Sequence, residues 1–106
     1  MTTLLWQPSA ERVASANMTR FREFVNTRHA LALDSYDSLY RWSVDDIPAF
    51  WAAAWDFLGI QASAPYETPV EDLSMFPGTH WFPGARLNFA ENLLRFRDDR
   101  TAFVFV

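Results

Sequence analysis

The sequence predicts a mainly α protein with short β elements, built from three or four helices. Apolar residues recur at three- and four-residue steps over much of the first 58 residues, the spacing of one helix face. Four prolines and two glycines then interrupt residues 60–85, where turns are expected and a long helix is excluded. A β-type run, TAFVFV, follows at residues 101–106. The helices should therefore come first and most of the extended segments after them.

The first helical segment is expected to begin at Ser9 or Asn17 and to end at His29. Both Ser9 and Asn17 belong to the residue types that cap helix N-termini, so the pattern allows either one helix or two short ones. The stripe predicted for this segment consists of Met18, Phe21, Phe24, Val25 and Arg28, which recur at three- and four-residue steps.

A second, short helix is expected to begin after Asp34 or Ser35. A short edge strand is expected within residues 70–75, in the region rich in proline and glycine.

A third helix has the clearest pattern, with Ser43 as its predicted N-cap. Asp45 and Asp46 would then lie in its first turn, where carboxylates favour the helix dipole, and Gly59 would end it. Its predicted apolar face consists of Ile47, Phe50, Trp51, Ala54, Trp55 and Leu58. The opposite face is hardly more polar, since it carries Ala49, Ala52, Ala53 and Phe57. Such a helix should be buried on more than one side.

Asn88 is predicted to cap a further helix, because Glu91 follows three residues later in the capping-box spacing. The apolar side of this helix would consist of Phe89, Leu93, Leu94 and Phe96. Residues 101–106 would then open a sheet whose other strands are missing, since even an isolated hairpin is marginal in water. The chain is therefore expected to be a truncated piece of a longer protein.

Composition excludes several classes of function. All nine basic residues are arginine and the net charge is −4, which argues against a nucleic-acid interface. The absence of lysine excludes a P-loop or Schiff-base lysine, and the absence of cysteine excludes disulfides and thiolate sites. No apolar run approaches the roughly 18 residues that span a bilayer. No secretory signal pattern opens the sequence, so a cytoplasmic location is expected.

Aromatic residues are unusually abundant, with five Trp, ten Phe and three Tyr. Such side chains bury roughly 150–250 Å² each, more than so short a chain can cover for all of them. Some of the rings should therefore lie on a surface that another body normally covers.

No residues form a recognisable catalytic or metal-binding pattern. His29 and His80 lie in different elements without metal-ligand spacing. The adjacent carboxylates at 45–46 and 98–99 suit capping and solvation better than a shared-proton dyad. The serines lie outside any nucleophile-elbow motif. We therefore expect no catalytic residue and no metal ligand in this chain.

One stretch stands out, WFPGARLN at residues 81–88, which by itself predicts a turn that anchors two aromatic side chains. It resembles the W-F-x-G-x-x-L-N signature near the N-terminus of short-chain acyl-CoA synthetases, members of the adenylate-forming superfamily. LWQPS at 5–9 and NMTRF at 17–21 are similar to the start of acetoacetyl-CoA synthetases, and RWSV at 41–44 fits the same region. The resemblance covers nearly the whole chain.

The resemblance implies a helical N-terminal domain at residues 1–95, followed at 96–106 by the start of an AMP-binding adenylation domain. The complete enzyme would use ATP, Mg and CoA to activate acetoacetate, and its adenylation domain would be the partner of this segment. The phosphate loop, the adenine-binding motif and the catalytic lysine would lie beyond Val106. Trp81 and Arg86 are the two positions that would approach the CoA channel, since Arg suits phosphate recognition. Packing or a salt bridge is the default alternative for Arg86.

A second hypothesis is a free-standing helical interaction module. In this hypothesis, the aromatic surface of residues 43–58 and the turn at Trp81 would bind a partner protein or a second copy of the chain. Continuation of the reading frame into a glycine-rich loop would favour the ligase, and a stop codon directly after Val106 would favour the module.

Overall fold

The computed structural model describes residues 2–106, which divide into two compact units, one ending at Leu58 and the other spanning Gly59–Val106. Residues 2–106 contain five helices and four short strands, so the mainly α fold with short β elements is confirmed. Four of these helices lie in the first unit, and the four strands lie in the second. No helix within residues 2–106 has the length and apolar character needed to cross a membrane.

The first unit opens with α1 (Ala10–Ser15) and α2 (Asn17–His29), so the two-helix alternative is the correct one. The Ser9 side chain caps α1 by accepting a hydrogen bond from the backbone N–H of Arg12, as the sequence predicts.

The prediction that Asn17 is an N-cap is wrong. Asn17 is the first helical residue of α2, and Ala16 before it has the extended backbone that separates the two helices. The hydroxyl of Thr19 donates to the carbonyl of Val13 at 2.6 Å instead. This bond satisfies a carbonyl at the end of α1 and ties the two helices together.

Helix α3 (Tyr36–Asp45) begins after Ser35, as predicted, but runs further than expected. Ser35 and Ser38 cap it reciprocally, each hydroxyl accepting from the backbone N–H of the other, at 3.1 and 3.0 Å. The prediction that Ser43 caps the next helix is therefore wrong. Ser43 lies inside α3, and its hydroxyl donates to the Tyr40 carbonyl.

Helix α4 (Ile47–Phe57) is capped by Asp46, whose carboxylate accepts from the backbone N–H of Ala49. Pro48 lies in the first turn, where its missing N–H leaves no bond unmade. Gly59 has a φ of +63° just beyond the helix, so its predicted role as the C-terminal stop is confirmed.

The core of the first unit lies where α2 and α3 pack against α4. Its buried residues are Phe21, Val25, Leu39, Ala53 and Ala54, and the half-buried side chains around them are Phe24, Leu33, Trp42, Phe50 and Phe57. The apolar face predicted for α4 is therefore partly wrong, because Ala53 and Phe57 belong to the buried face while Trp51 and Leu58 are exposed. Ala53 and Ala54 are the two buried positions on this helix.

The second unit is built around two antiparallel strand pairs. Strand β1 (Ala62–Ala64) pairs with β4 (Arg86–Leu87), and β2 (Val70–Glu71) pairs with β3 (His80–Trp81). The short helix α5 (Phe89–Leu93) follows β4, capped by Asn88 as predicted.

Two strand predictions need correction. The strand expected within 70–75 has only two residues, because Asp72 has a φ of +53° and turns the chain out of line. The strand expected at 101–106 is not formed, and Phe103 and Phe105 are 94% and 100% exposed. This segment pairs with none of the four strands described within residues 2–106, and an unpaired strand is not stable in water.

Candidate functional site

The motif at residues 81–88 forms a tight turn between β3 and β4. Phe82 has a φ of +50° and Gly84 a φ of +85°. The backbone N–H of Phe82 donates to the carbonyl of Pro69 at 2.9 Å, and that of Ala85 donates to the carbonyl of Phe82 at 3.1 Å. These bonds fix a backbone conformation that a residue with a side chain rarely adopts.

Glycine is favoured at position 84 because its φ of +85° strains any residue with a side chain, and because a neighbouring side chain lies close to it. The backbone N–H of Glu67 donates to the carbonyl of Pro83 at 2.9 Å, and a Cβ at position 84 would lie 3.1 Å from Cγ of Glu67. The ring of Tyr66 packs against Phe82, with 5.2 Å between the ring centres. The turn is therefore fastened to residues 66–69, and its shape is preset.

Trp81 and Arg86, the two residues singled out by the sequence, lie at the two ends of this turn, and both are exposed. Trp81 pairs with Val70 in the β2–β3 ladder. The backbone of Arg86 pairs with β1, and its carbonyl accepts a hydrogen bond from the Ser63 hydroxyl at 3.3 Å. Its guanidinium forms no salt bridge with any other residue between 2 and 106. The turn therefore presents an unpaired cation on a fixed backbone.

Asn92, which no sequence pattern singles out, ties α5 to the segment just before β1. Its side-chain amide donates to the carbonyl of Gln61 at 2.9 Å and accepts from the N–H of Gln61 at 2.8 Å. The guanidinium of Arg95 adds a bond to the carbonyl of Gly59 at 2.8 Å. Asparagine inside a helix is a weak sequence signal for such a role, because it favours hydrogen bonds to backbone groups.

The two histidines and the carboxylates do not converge on a site. His80 Nδ1 lies 3.7 Å from Oε2 of Glu71, its cross-strand neighbour. The ring of His29 packs against Trp42 in the first unit, with 5.3 Å between the ring centres. Within residues 2–106, no three His, Cys, Asp or Glu side chains are grouped to hold a metal ion.

A concave surface in the first unit was not anticipated from the sequence. It lies between α2, α3 and α4, and we call it the helical groove. Its cavity has a volume of about 470 Å³ and is almost entirely apolar. The groove is lined by Asn17, Met18, Phe21, Tyr36, Leu39, Tyr40, Ser43, Phe50, Trp51, Ala54, Phe57 and Leu58. Such a surface can take up apolar side chains.

Comparison with known proteins identifies the class to which this fold belongs. Residues 36–93, just over half of the chain, match the family described as the acetyl-coenzyme A synthetase N-terminus. The chain therefore belongs to this family of N-terminal domains. The match contains the whole turn at 81–88, so the resemblance to short-chain acyl-CoA synthetases is confirmed.

Individual relatives give a finer comparison. An acetoacetyl-CoA synthetase from Danio rerio is 45% identical over 98 residues, and a malonamoyl-CoA synthetase from Penicillium aethiopicum is 42% identical over 92 residues. These matches cover 90% and 86% of this chain but 14% and 12% of the relatives. The solved structure of acetoacetyl-CoA synthetase from Streptomyces lividans superposes with a TM-score of 0.78 at 41% identity. The superposed region covers 85% of this chain and 14% of the Streptomyces lividans chain. The chain thus spans a small part of the relatives it matches.

Proposed function

We propose that this chain is the N-terminal domain of an ATP-dependent acetoacetate–CoA ligase, and that the domain itself is non-catalytic. The observation that carries the proposal is the likeness to the Streptomyces lividans acetoacetyl-CoA synthetase, at 41% identity and a TM-score of 0.78. In the reaction, the acetoacetate carboxylate attacks the α-phosphorus of ATP and pyrophosphate leaves. The CoA thiol then attacks the acyl carbon of the adenylate and AMP leaves. ATP, Mg and CoA would be held by the rest of the polypeptide.

The partner of this domain would be the adenylation domain of its own polypeptide, with residues 1–95 as the N-terminal domain and 96–106 as the start of the next. The apolar surface of the second unit supports this assignment, since Phe89, Leu93, Phe103 and Phe105 are all exposed. Patches of this kind are normally covered by another surface. A cytoplasmic location belongs to the same proposal. The alternative interaction module would account for the exposed aromatics but not for the family match.

The activity test uses the whole polypeptide that carries this chain. We expect it to convert acetoacetate, ATP and CoA to acetoacetyl-CoA, AMP and pyrophosphate, measured by chromatography of the nucleotides and thioesters. Because the malonamoyl-CoA synthetase is nearly as similar in this segment, malonamate and acetate should be compared as substrates. The proposal predicts the highest kcat/KM for acetoacetate. Formation of no acyl-CoA from any of the three acids would contradict it.

The non-catalytic role has its own test in the isolated 106 residues. This fragment should neither make acyl-CoA nor bind ATP, because the sequence has no lysine and residues 2–106 hold no cluster of three metal-ligating side chains. Calorimetry with Mg-ATP measures the binding directly. Saturable binding in the millimolar range or tighter would show that the domain holds nucleotide after all.

Trp81 and Arg86 are proposed to lie at the entrance used by CoA. The support is the unpaired, exposed guanidinium on a preset turn, since guanidinium groups match the geometry of phosphates. In the whole polypeptide, Arg86→Gln should raise the KM for CoA about tenfold, the loss of one charged hydrogen bond. The KM for ATP should stay unchanged. Arg97→Gln is the matched control, because Arg97 is exposed in the same unit but outside the turn. Equal KM values for CoA in both variants would remove Arg86 from the site.

A further inference from the structure

An extended arm precedes α1 and carries apolar side chains into solvent. Leu4, Leu5 and Trp6 are 73%, 94% and 68% exposed. Residues 2–8 contain no charged side chain, and they form no helix or strand. An uncharged apolar segment of this kind gains free energy when it leaves water.

The arm already lies at one end of the helical groove. A neighbouring cavity of about 410 Å³ is lined by Trp6, and it shares Met18, Tyr36 and Leu39 with the groove. The Trp6 ring is held there from one side by the guanidinium of Arg12, 6.0 Å from the ring centre. Trp6 and the groove therefore border the same three side chains.

We propose that residues 2–6 are a strap that closes over the helical groove of the same chain, with Leu4 and Leu5 entering it. The reach is sufficient, because the two residue steps from Trp6 to Leu4 span about 7 Å in an extended chain, more than the 5.4 Å of one helical turn. One turn along α3 leads from Tyr36, at the shared wall, to Tyr40 inside the groove.

The chemistry of the two surfaces matches. Half of the residues that line the groove are aromatic and two are small and polar, and the arm brings branched aliphatic side chains without charge. Ordering the arm costs backbone entropy, so closure is a balance between two states and not a permanent contact. The structure shows the open state, in which Leu5 is almost fully exposed. Closure would shield the rings of the groove and exclude any other occupant.

The first test measures protection of a thiol in the groove. Ser43 lines the groove, and Ser43→Cys is a nearly isosteric change. In the whole polypeptide, alkylation of Cys at position 43 is followed by mass spectrometry of the peptide that contains it, with and without Leu4→Glu and Leu5→Glu on the arm. The charged arm should raise the alkylation rate about fivefold by shifting the population to the open state. Thr27→Cys, on the exposed surface of α2 outside the groove, should react at one rate in both backgrounds. Circular dichroism checks that the helices are unchanged.

The second test measures contact directly. A pair of Thr3→Cys and Ser43→Cys should form an intramolecular disulfide at least about tenfold faster than the control pair of Thr3→Cys and Thr27→Cys, because closure brings residue 3 over the groove. Equal rates in the two pairs, or equal alkylation in the two arm backgrounds, would overturn the strap. A disulfide between two copies, seen as a dimer on a non-reducing gel, would also overturn it, since the arm would then occupy the groove of another molecule.

Discussion

The two units of this chain are held together in different ways. The first unit has a core in which Val25 and Ala53 are completely buried among aromatic side chains from three helices. In the second unit, no residue from 59 to 106 is buried, and side-chain hydrogen bonds to the backbone tie the segments together. The second unit therefore has its shape fixed largely by polar contacts and strand pairing, while many of its large apolar side chains, such as Phe89 and Leu93, are exposed. Such a unit is organised to present a surface.

The same leucine-to-alanine change should separate the two units most clearly. Leu39 is 4% exposed and Leu93 is 66% exposed. Leu39→Ala should lower the free energy of unfolding by about 2–5 kcal/mol, because it leaves a cavity in the core. Leu93→Ala should change it by less than about 0.5 kcal/mol in the 106-residue chain. Urea unfolding followed by far-UV circular dichroism measures both.

The whole polypeptide sharpens this contrast. If the adenylation domain covers α5, Leu93→Ala should cost about 2 kcal/mol there, because the leucine is then buried. Leu39→Ala should cost the same in both contexts. Equal costs of the two substitutions in the short chain would contradict the assignment of the core to the first unit.

Two asparagines provide a second, smaller contrast, since each makes a paired bond to one backbone residue. Asn26 donates to the carbonyl of Leu33 at 2.9 Å and accepts from its N–H at 2.8 Å, in a half-buried position. Asn92, which is also half-buried, makes the same pair of bonds to Gln61, but these two bonds are exposed. Asn26→Ala should cost about 2 kcal/mol, because the Leu33 groups lose their partners away from water.

Asn92→Ala should cost about 1 kcal/mol, because water can replace the lost partner at an exposed site. Hydrogen exchange of the Leu33 and Gln61 amides, measured by NMR, reports the two bonds separately. Asn26→Asp is the control, since it keeps the acceptor for the Leu33 N–H and loses the donor. A larger cost for Asn92→Ala than for Asn26→Ala would break the distinction between the two units.

Much of the fold could be predicted from the sequence where a local signal decides the outcome. Ser9, Ser35 and Asn88 cap helices because their side chains reach the nearby N–H groups, and Gly59 ends α4 because it tolerates a positive φ. Ser43 is not a cap because its hydroxyl donates to a carbonyl inside α3, and Asp46, an equally good capping residue, follows three residues later.

Features that depend on tertiary packing could not be predicted. Helix α4 is apolar on nearly every side, so periodicity gives no contrast, and the fit of Ala53 against its neighbours decides which face is buried. The run at 101–106 has strand propensity, but pairing depends on a partner edge. In the candidate site, the motif at 81–88 could be recognised from the sequence. The approach of Glu67 to Gly84 and the bonds from Asn92 to Gln61 could not be predicted, because they join residues distant in sequence.

The smallest expected effect concerns charge, at an exposed pair in the second unit. Arg100 donates hydrogen bonds from its side chain and its backbone N–H to the Asp98 carboxylate, and these bonds lower the pKa of Asp98 below its usual value. If the pKa is lowered only in the folded state, the pair stabilises the fold when the pH is above the usual pKa of Asp, about 3.9. That contribution is lost as the pH falls through the lowered pKa of the folded state. The two residues are only two positions apart, in contrast to the pair of Arg28 and Asp56 that joins α2 to α4. An unfolded chain should therefore retain the interaction, and the net effect on stability should be negligible.

NMR titration of the Asp98 carboxyl carbon tests this in the 106-residue chain and in a peptide of residues 96–102. The lowered pKa should appear in both, and Arg100→Gln should raise it towards the usual value in both, because the cause is local. If Asp98 had its usual pKa in the peptide, the pair of Asp98 and Arg100 would depend on the folded second unit. Its bonds would then stabilise that unit, as the bonds of Asn92 do.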